Sequence, residues 1–193
     1  MGYKESPLAE ERQRYASLVD AMCTSFLRHH AGCVAVACQG PVDLVLPVPS
    51  TSRPGRSPLD RVEGLPDHVE EALMPAARWS PFLLHRTREP IGHMRPNTTA
   101  FEVPVGARPS VAGARILLLD DTYVSGARAQ SAAAALRLAG ARATVIMPLG
   151  RLLRPDRSSL HAAFLQRSGS PVRGGSTGGI RCCRCVQTAA PTG

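Results

Sequence analysis

The segment Ile116-Leu-Leu-Leu-Asp-Asp-Thr-Tyr-Val-Ser-Gly-Ala-Arg128 decides how the rest of this 193-residue chain is read. Arg115 to Leu119 is a short apolar run that ends in turn residues, the pattern of a strand buried on both faces. Asp120 to Gly126 reads as a turn. Ala127 to Ala139 is an Ala/Leu helix closed by Gly140, and Thr144 to Leu149 is a second buried strand. Strand, turn, helix and strand at this spacing make a right-handed βαβ unit in a parallel sheet.

Working outward, Asp43 to Pro49 predicts another buried strand, which leaves into a Ser/Thr/Arg/Pro/Gly loop from Ser50 to Ser57. A helix is expected from Pro58 to Ala77. Two short strands, Phe82–Leu84 and Phe101–Val105, bracket a long polar stretch from His85 to Thr99. At the N-terminus, Ser6-Pro7 has the form of a helix start. Leu8, Tyr15, Leu18, Val19, Met22 and Phe26 then recur at helical spacing up to Gly32. Val34 to Cys38 fits a strand or a helix remnant. Beyond Arg167 the Gly/Ser/Arg-rich sequence has no periodicity and predicts no regular structure. The expected organisation is an N-terminal helix over 1–32, an α/β domain over 33–165 and a basic tail over 166–193.

Composition sets limits on function. Apolar residues at 44% and charged residues at 20% exclude wholesale disorder. No apolar stretch reaches the roughly 18 residues of a bilayer span, and no signal-peptide core is visible, so a soluble cytoplasmic protein is expected, with no membrane partner. Of the net charge of +8, the C-terminal stretch holds most: from Arg151 onward seven arginines face Asp156 alone, leaving residues 1–150 at +2. The first reading of this basic stretch is a solvated tail, and contact with nucleic acid through the tail is the alternative. Lys4 is the sole lysine, which excludes a Walker A loop and a Schiff-base lysine from the body. Cys23, Cys33, Cys38, Cys182, Cys183 and Cys185 include one C-x-x-C in the tail and no facing pair at zinc spacing. His29, His30, His85 and His93 have no metal-spaced partners either.

The chemistry gathers at the end of the 116–119 strand. Two adjacent carboxylates, Asp120 and Asp121, arrive where open α/β sheets bind ligands. Ser125, Gly126 and Ala127 then open a helix, whose N–H groups and positive dipole end suit a phosphate without any lysine. Carboxylates beside such a cradle suit hydroxyls or a hard cation. Diol-binding acids next to a phosphate cradle describe a ribose 5-phosphate site.

The segment resembles the signature of type I phosphoribosyltransferases, in which apolar residues, an acidic pair, a hydroxyl/Gly loop and a helix follow one another and bind phosphoribosyl pyrophosphate (PRPP). The resemblance implies a Rossmann-like central parallel sheet flanked by helices. By position, Asp120 and Asp121 match the acidic pair and would hold the ribose hydroxyls and Mg²⁺, directly or through water. Val124, Ser125, Gly126, Ala127 and Arg128 match the 5-phosphate loop. The family usually has Thr where Val124 stands, and Thr or Ser where Arg128 stands. Leu46-Pro-Val-Pro-Ser-Thr-Ser-Arg53 is similar to the family's pyrophosphate loop and would set Ser50, Thr51, Ser52 and Arg53 against the diphosphate. Leu84-His-Arg-Thr-Arg88 and Arg95-Pro-Asn97 look like the Arg-rich mobile region of the ComF-like and amidophosphoribosyltransferase-like branch, with Arg86, Arg88 and Arg95 as its ligand contacts. The implied activity is Mg²⁺-dependent transfer of phosphoribosyl from PRPP to an unidentified nitrogen acceptor, with release of pyrophosphate. The alternative is a non-catalytic PRPP- or nucleotide-binding protein with a regulatory or DNA-uptake role. A homodimer is compatible with either.

Overall fold

The computed structural model describes residues 8–50 and 56–150, together with Ser159, Ala163 and Gln166. The chain divides into two compact units, Met1–Arg151 and Leu152–Gly193. The start at Ser6-Pro7 and the tail with its three cysteines lie outside the described residues.

In the first unit, α1 (Ala9–Ala37) precedes β1 (Leu44–Pro47), a 3₁₀ turn (Pro58–Arg61) and α2 (Leu65–Ala72). Next come β2 (Arg78–Trp79), β3 (His85–Arg86) and β4 (Phe101–Glu102). A second 3₁₀ turn and α3 (Arg108–Val111) lead to β5 (Arg115–Asp120), α4 (Ala127–Leu138) and β6 (Ala143–Pro148). Four strands form a parallel sheet in the order β2-β1-β5-β6, while β3 and β4 pair antiparallel by themselves. This is the α/β architecture with a central parallel sheet that the sequence predicts. Among the described residues no helix is long and apolar enough to cross a membrane.

β5 is the axis of the core. Ile116 to Leu119 are all fully buried, and their alternation feeds two separate cores. Leu117 and Leu119 pack with Cys23, Leu27 and Val34 of α1 and with Leu65 and Val69 of α2. Ile116 and Leu118 pack with Ala132, Ala135 and Leu136 of α4 and with Phe101 of β4. The small residues on α4 let that helix lie close to the sheet. Pro47 sits inside the sheet without penalty. The N–H of Val48 donates to Leu119 O, so the N–H that Pro47 lacks would face the other way, past the end of two-residue β2.

Three boundaries differ from the sequence reading. α1 runs through Gly32 to Ala37, so Val34 to Ala37 are helical and Gly32 is an interior residue. A lone glycine weakens a helix by about 1 kcal/mol, which burial of Val34 and of Cys38 just beyond offsets. The helix expected over Pro58–Ala77 is broken by Gly64 at φ +77°, and Pro75 follows its end. The short strands shift to His85–Arg86 and Phe101–Glu102, and Arg78–Trp79 forms an additional edge strand. The helical spacing read in α1 is also present but is not the face that meets the core. Ala16, Cys23, Leu27 and Val34 are buried, whereas Tyr15, Leu18, Met22 and Phe26 are exposed.

Candidate functional site

The sheet order creates a crevice at one place. After β1 the chain turns to α2 and β2 on one side; after β5 it turns to α4 and β6 on the other. β1 and β5 are adjacent, with Pro47 opposite Leu119, so the loops leaving their C-terminal ends diverge from a common point. α2 and α4 lie on opposite faces of the sheet, as their separate cores show. This is a topological switch point, where open α/β sheets take their ligands.

Asp120 and Asp121 stand at the lip of this crevice. Asp120 is the last residue of β5, and its carbonyl accepts from Leu149 N–H at 2.8 Å, which extends the pairing with β6. Their side chains are only 1% and 2% exposed. Charges buried that deeply need compensation, and Arg128 in the first turn of α4 supplies it. One guanidinium nitrogen, Nη2, donates both to Asp120 Oδ1 and to Asp121 Oδ1, the latter at 2.9 Å. Arg128 is 22% exposed, so the guanidinium covers the acids from the solvent side. Thr122 Oγ1 adds a long contact to Asp121 Oδ2 at 3.5 Å.

The loop that follows is shaped by Gly126 and Tyr123. Gly126 adopts φ +78° and caps α4. A Cβ there would lie 2.2 Å from the Tyr123 hydroxyl, so the phenol fills the space that the missing side chain leaves. Tyr123 N–H in turn donates to Gly150 O at 2.7 Å, tying the loop to the end of β6. Ser125 is half-buried and its hydroxyl accepts from Ala127 N–H at 3.4 Å. Val124 projects outward, 52% exposed. Ser125, Gly126 and Ala127 thus border the first turn of a 12-residue helix, where backbone N–H groups have no intrahelical carbonyl to meet.

The other expected residues divide. Ser50 leaves β1 at the same sheet end, with its N–H donating to Arg56 O at 2.8 Å. Thr51, Ser52 and Arg53 lie outside the described residues. Arg86 is engaged elsewhere: its guanidinium donates to the carbonyls of Thr87 (2.8 Å), Ala100 (2.6 Å) and Glu89 (2.6 Å) and stacks over Phe101 at 5.4 Å. These contacts pin the β3–β4 hairpin. Arg88 and Arg95 are exposed on the connecting loop.

That loop is held against α4 by a pair without a role in the sequence reading. Asn97 N–H donates to Ser131 Oγ at 2.8 Å, and Ser131 Oγ donates to Ala127 O at 2.7 Å. Asn97 Nδ2 reaches Pro90 O, while its Oδ1 accepts from Thr99 N–H and Thr99 Oγ1. The loop is therefore fastened one turn along α4 from its start at Ala127. An Asn flanked by Pro and Thr signals a turn, but its distant partner leaves no mark in the sequence.

The acids are hard oxygen donors of the kind Mg²⁺ takes when it binds one or two carboxylates together with substrate phosphates. Among the described residues no group of three or more His, Cys, Asp or Glu gathers to hold a metal. The pair fits a cation shared with a substrate, with Arg128 displaced from it.

No protein-family model matches the chain, and no curated protein matches it either.

Proposed function

We propose that this protein binds PRPP in the crevice between β1 and β5 and transfers its phosphoribosyl group to a nitrogen acceptor in the cytoplasm, releasing pyrophosphate. The observation that supports the reading best is the buried Asp120–Asp121 pair, standing at a sheet switch point within one short loop of the first turn of α4. The acids suit vicinal hydroxyls and the N-terminus suits a phosphate, and one short loop joins the two.

In this mechanism Asp120 and Asp121 accept hydrogen bonds from the ribose 2′- and 3′-hydroxyls. Ser125, Gly126 and Ala127 hold the 5-phosphate. Because Arg128 stands in the first turn of α4, a change of its side-chain rotamer carries the guanidinium from the carboxylates toward that phosphate, so ligand binding exchanges one anionic partner for another. The acceptor nitrogen attacks C1 as the C1–O bond breaks. The electron pair leaves on the diphosphate oxygen, and the nitrogen loses its proton to solvent. Asp120 and Asp121 would hold Mg²⁺ together with substrate oxygens, and the ion would supply charge neutralisation to the leaving group. Ser50, just beyond the C-terminal end of β1, borders the diphosphate end.

One observation favours a second reading, a PRPP-binding protein without turnover and with a regulatory role. Arg128 engages both acids, and the hydroxyls usual in the family's loop are absent at positions 124 and 128. A pyrophosphate-release assay with PRPP, Mg²⁺ and either ammonia or a panel of nucleobases separates the two. Release dependent on the acceptor and lost in Asp121→Asn supports transfer. Saturable PRPP binding with no release for any acceptor supports the second reading, and neither binding nor release overturns both.

A further inference from the structure

Arg128 holds the acid pair with one nitrogen and leaves its other two uncommitted. Nη2 donates to Asp120 Oδ1 and to Asp121 Oδ1, the latter at 2.9 Å. A guanidinium presents its N–H groups as a fixed fork, and its strongest grip on a carboxylate uses two nitrogens in parallel. Here Nη1 and Nε donate to no described residue. Nor are they sealed from water, as Nε of Arg86 and Nε of Arg115 are. They belong to a side chain that keeps 22% of its surface in solvent.

The same contact closes the acids. With the guanidinium in place the side chains of Asp120 and Asp121 are 1% and 2% exposed, so a hydrated ion meets almost no carboxylate surface. Mg²⁺ sheds its water reluctantly, and a like charge already sits on the oxygens it would take. The pair therefore accepts the guanidinium or a divalent cation, and not both. Arg128 also belongs to the first turn of α4, two residues after Gly126. An anion seated on that turn's N–H groups lies beside the residue whose side chain covers the acids. Nη1 and Nε give the anion donors to engage while Nη2 still holds the carboxylates. The guanidinium then changes partners without leaving a buried charge uncompensated on the way.

We infer that Arg128 is a latch, which opens the Asp120–Asp121 pair to a divalent cation only when a phosphate group occupies the first turn of α4. The inference rests on the sugar-phosphate reading of the crevice and adds its order of events, phosphate before cation. The two ligands are then linked: each raises the affinity of the other by the same factor, because each gains from the guanidinium's change of partner.

Electron paramagnetic resonance of unbound Mn²⁺ reads this linkage on the full chain. The wild type alone is expected to bind Mn²⁺ weakly, and saturating ribose 5-phosphate should tighten binding at least about 10-fold, an ordinary coupling between sites. Ribose 5-phosphate carries no diphosphate, so the gain cannot come from leaving-group oxygens. The same titration with Asp120→Asn/Asp121→Asn measures what the sugar phosphate chelates by itself, and no tightening is expected there. Arg128→Gln, its folding checked by circular dichroism, should bind Mn²⁺ without any ligand at least about 10-fold more tightly than the wild type, and ribose 5-phosphate should then add little. The two wild-type titrations need no variant, so they decide the matter even if Arg128→Gln fails to fold. Unliganded wild type that binds Mn²⁺ as tightly as Arg128→Gln overturns the latch. Ribose 5-phosphate that binds by calorimetry yet leaves Mn²⁺ affinity unchanged overturns it too, while the crevice reading stands. Absence of binding for both ribose 5-phosphate and PRPP overturns the crevice reading itself, and the latch with it.

Discussion

Removing the guanidinium that covers the two acids should be among the most damaging single changes in this protein. In Arg128→Ala two adjacent carboxylates, 1% and 2% exposed, lose the partner that both share. Breaking a buried ion pair from one side costs about 3–5 kcal/mol, because the remaining charge is neither solvated nor compensated. Arg128 keeps 22% of its surface in solvent, which places the expected loss near the lower end, about 3 kcal/mol. For a chain of this size that lowers the unfolding midpoint by roughly 6–12 °C. Urea unfolding of the wild type, Arg128→Ala, Asp121→Asn and the double variant forms a cycle. Asp121→Asn removes one of the two charges that Arg128 covers, so the double variant should recover at least about 1 kcal/mol relative to Arg128→Ala. A loss below about 0.5 kcal/mol for Arg128→Ala, the range of an exposed pair, would refute the reasoning. So would strict additivity in the cycle, since the three side chains share one contact.

Three further outcomes follow from the same geometry. Gly126→Ala must hold a left-handed backbone and displace the Tyr123 phenol, so it should cost about 1–2 kcal/mol or more in a thermal melt; a variant as stable as the wild type would remove Gly126 from the account. Asn97→Ala releases the loop's own ties to Pro90 and Thr99 and should cost about 1–2 kcal/mol, with faster tryptic cleavage after the exposed Arg88; unchanged digestion would show that the loop is held by other contacts. Burial, reinforced by the Asp20 charge, pushes the Cys23 thiol from an ordinary 9.0 up to about 12. Its thiolate fraction at pH 8 is thus about one in ten thousand, and iodoacetamide should leave Cys23 unmodified until the protein unfolds, as read by peptide mapping. Because the folded-state value is raised, this thiol favours folding below pH 9, and that contribution is lost as pH rises toward 12. Labelling of native Cys23 at the rate of a free thiol would contradict the burial argument.

What the sequence made legible is what local pattern controls. The run from Ile116 to Leu119 is apolar because β5 is buried on both faces, and the turn-helix-strand that follows obeys nearest-neighbour rules, so β5, α4 and β6 emerge within a residue or two of expectation. α1 was legible as a helix but not as to its buried face, since its exposed and its buried apolar residues share helical spacing. The broken helix after Pro58 hinges on Gly64, whose left-handed conformation is set by packing and not announced by composition. At the candidate site, the strand-end position of the acids and the glycine turn before α4 could be read directly. That Arg128 turns back to Asp120 and Asp121, and that Arg86 serves three carbonyls of its own hairpin, could not. A side chain that long chooses its partner from the charges and carbonyls the finished fold brings near, and sequence spacing does not fix that choice.

Calorimetric titration of PRPP into the intact protein, with and without Mg²⁺, and into the Asp120→Asn/Asp121→Asn variant, tests the central claim most directly. The account predicts saturable one-to-one binding that Mg²⁺ strengthens in the wild type and that the variant loses while remaining folded. Equal affinity in the variant, or no heat of binding in the wild type under either condition, would contradict it.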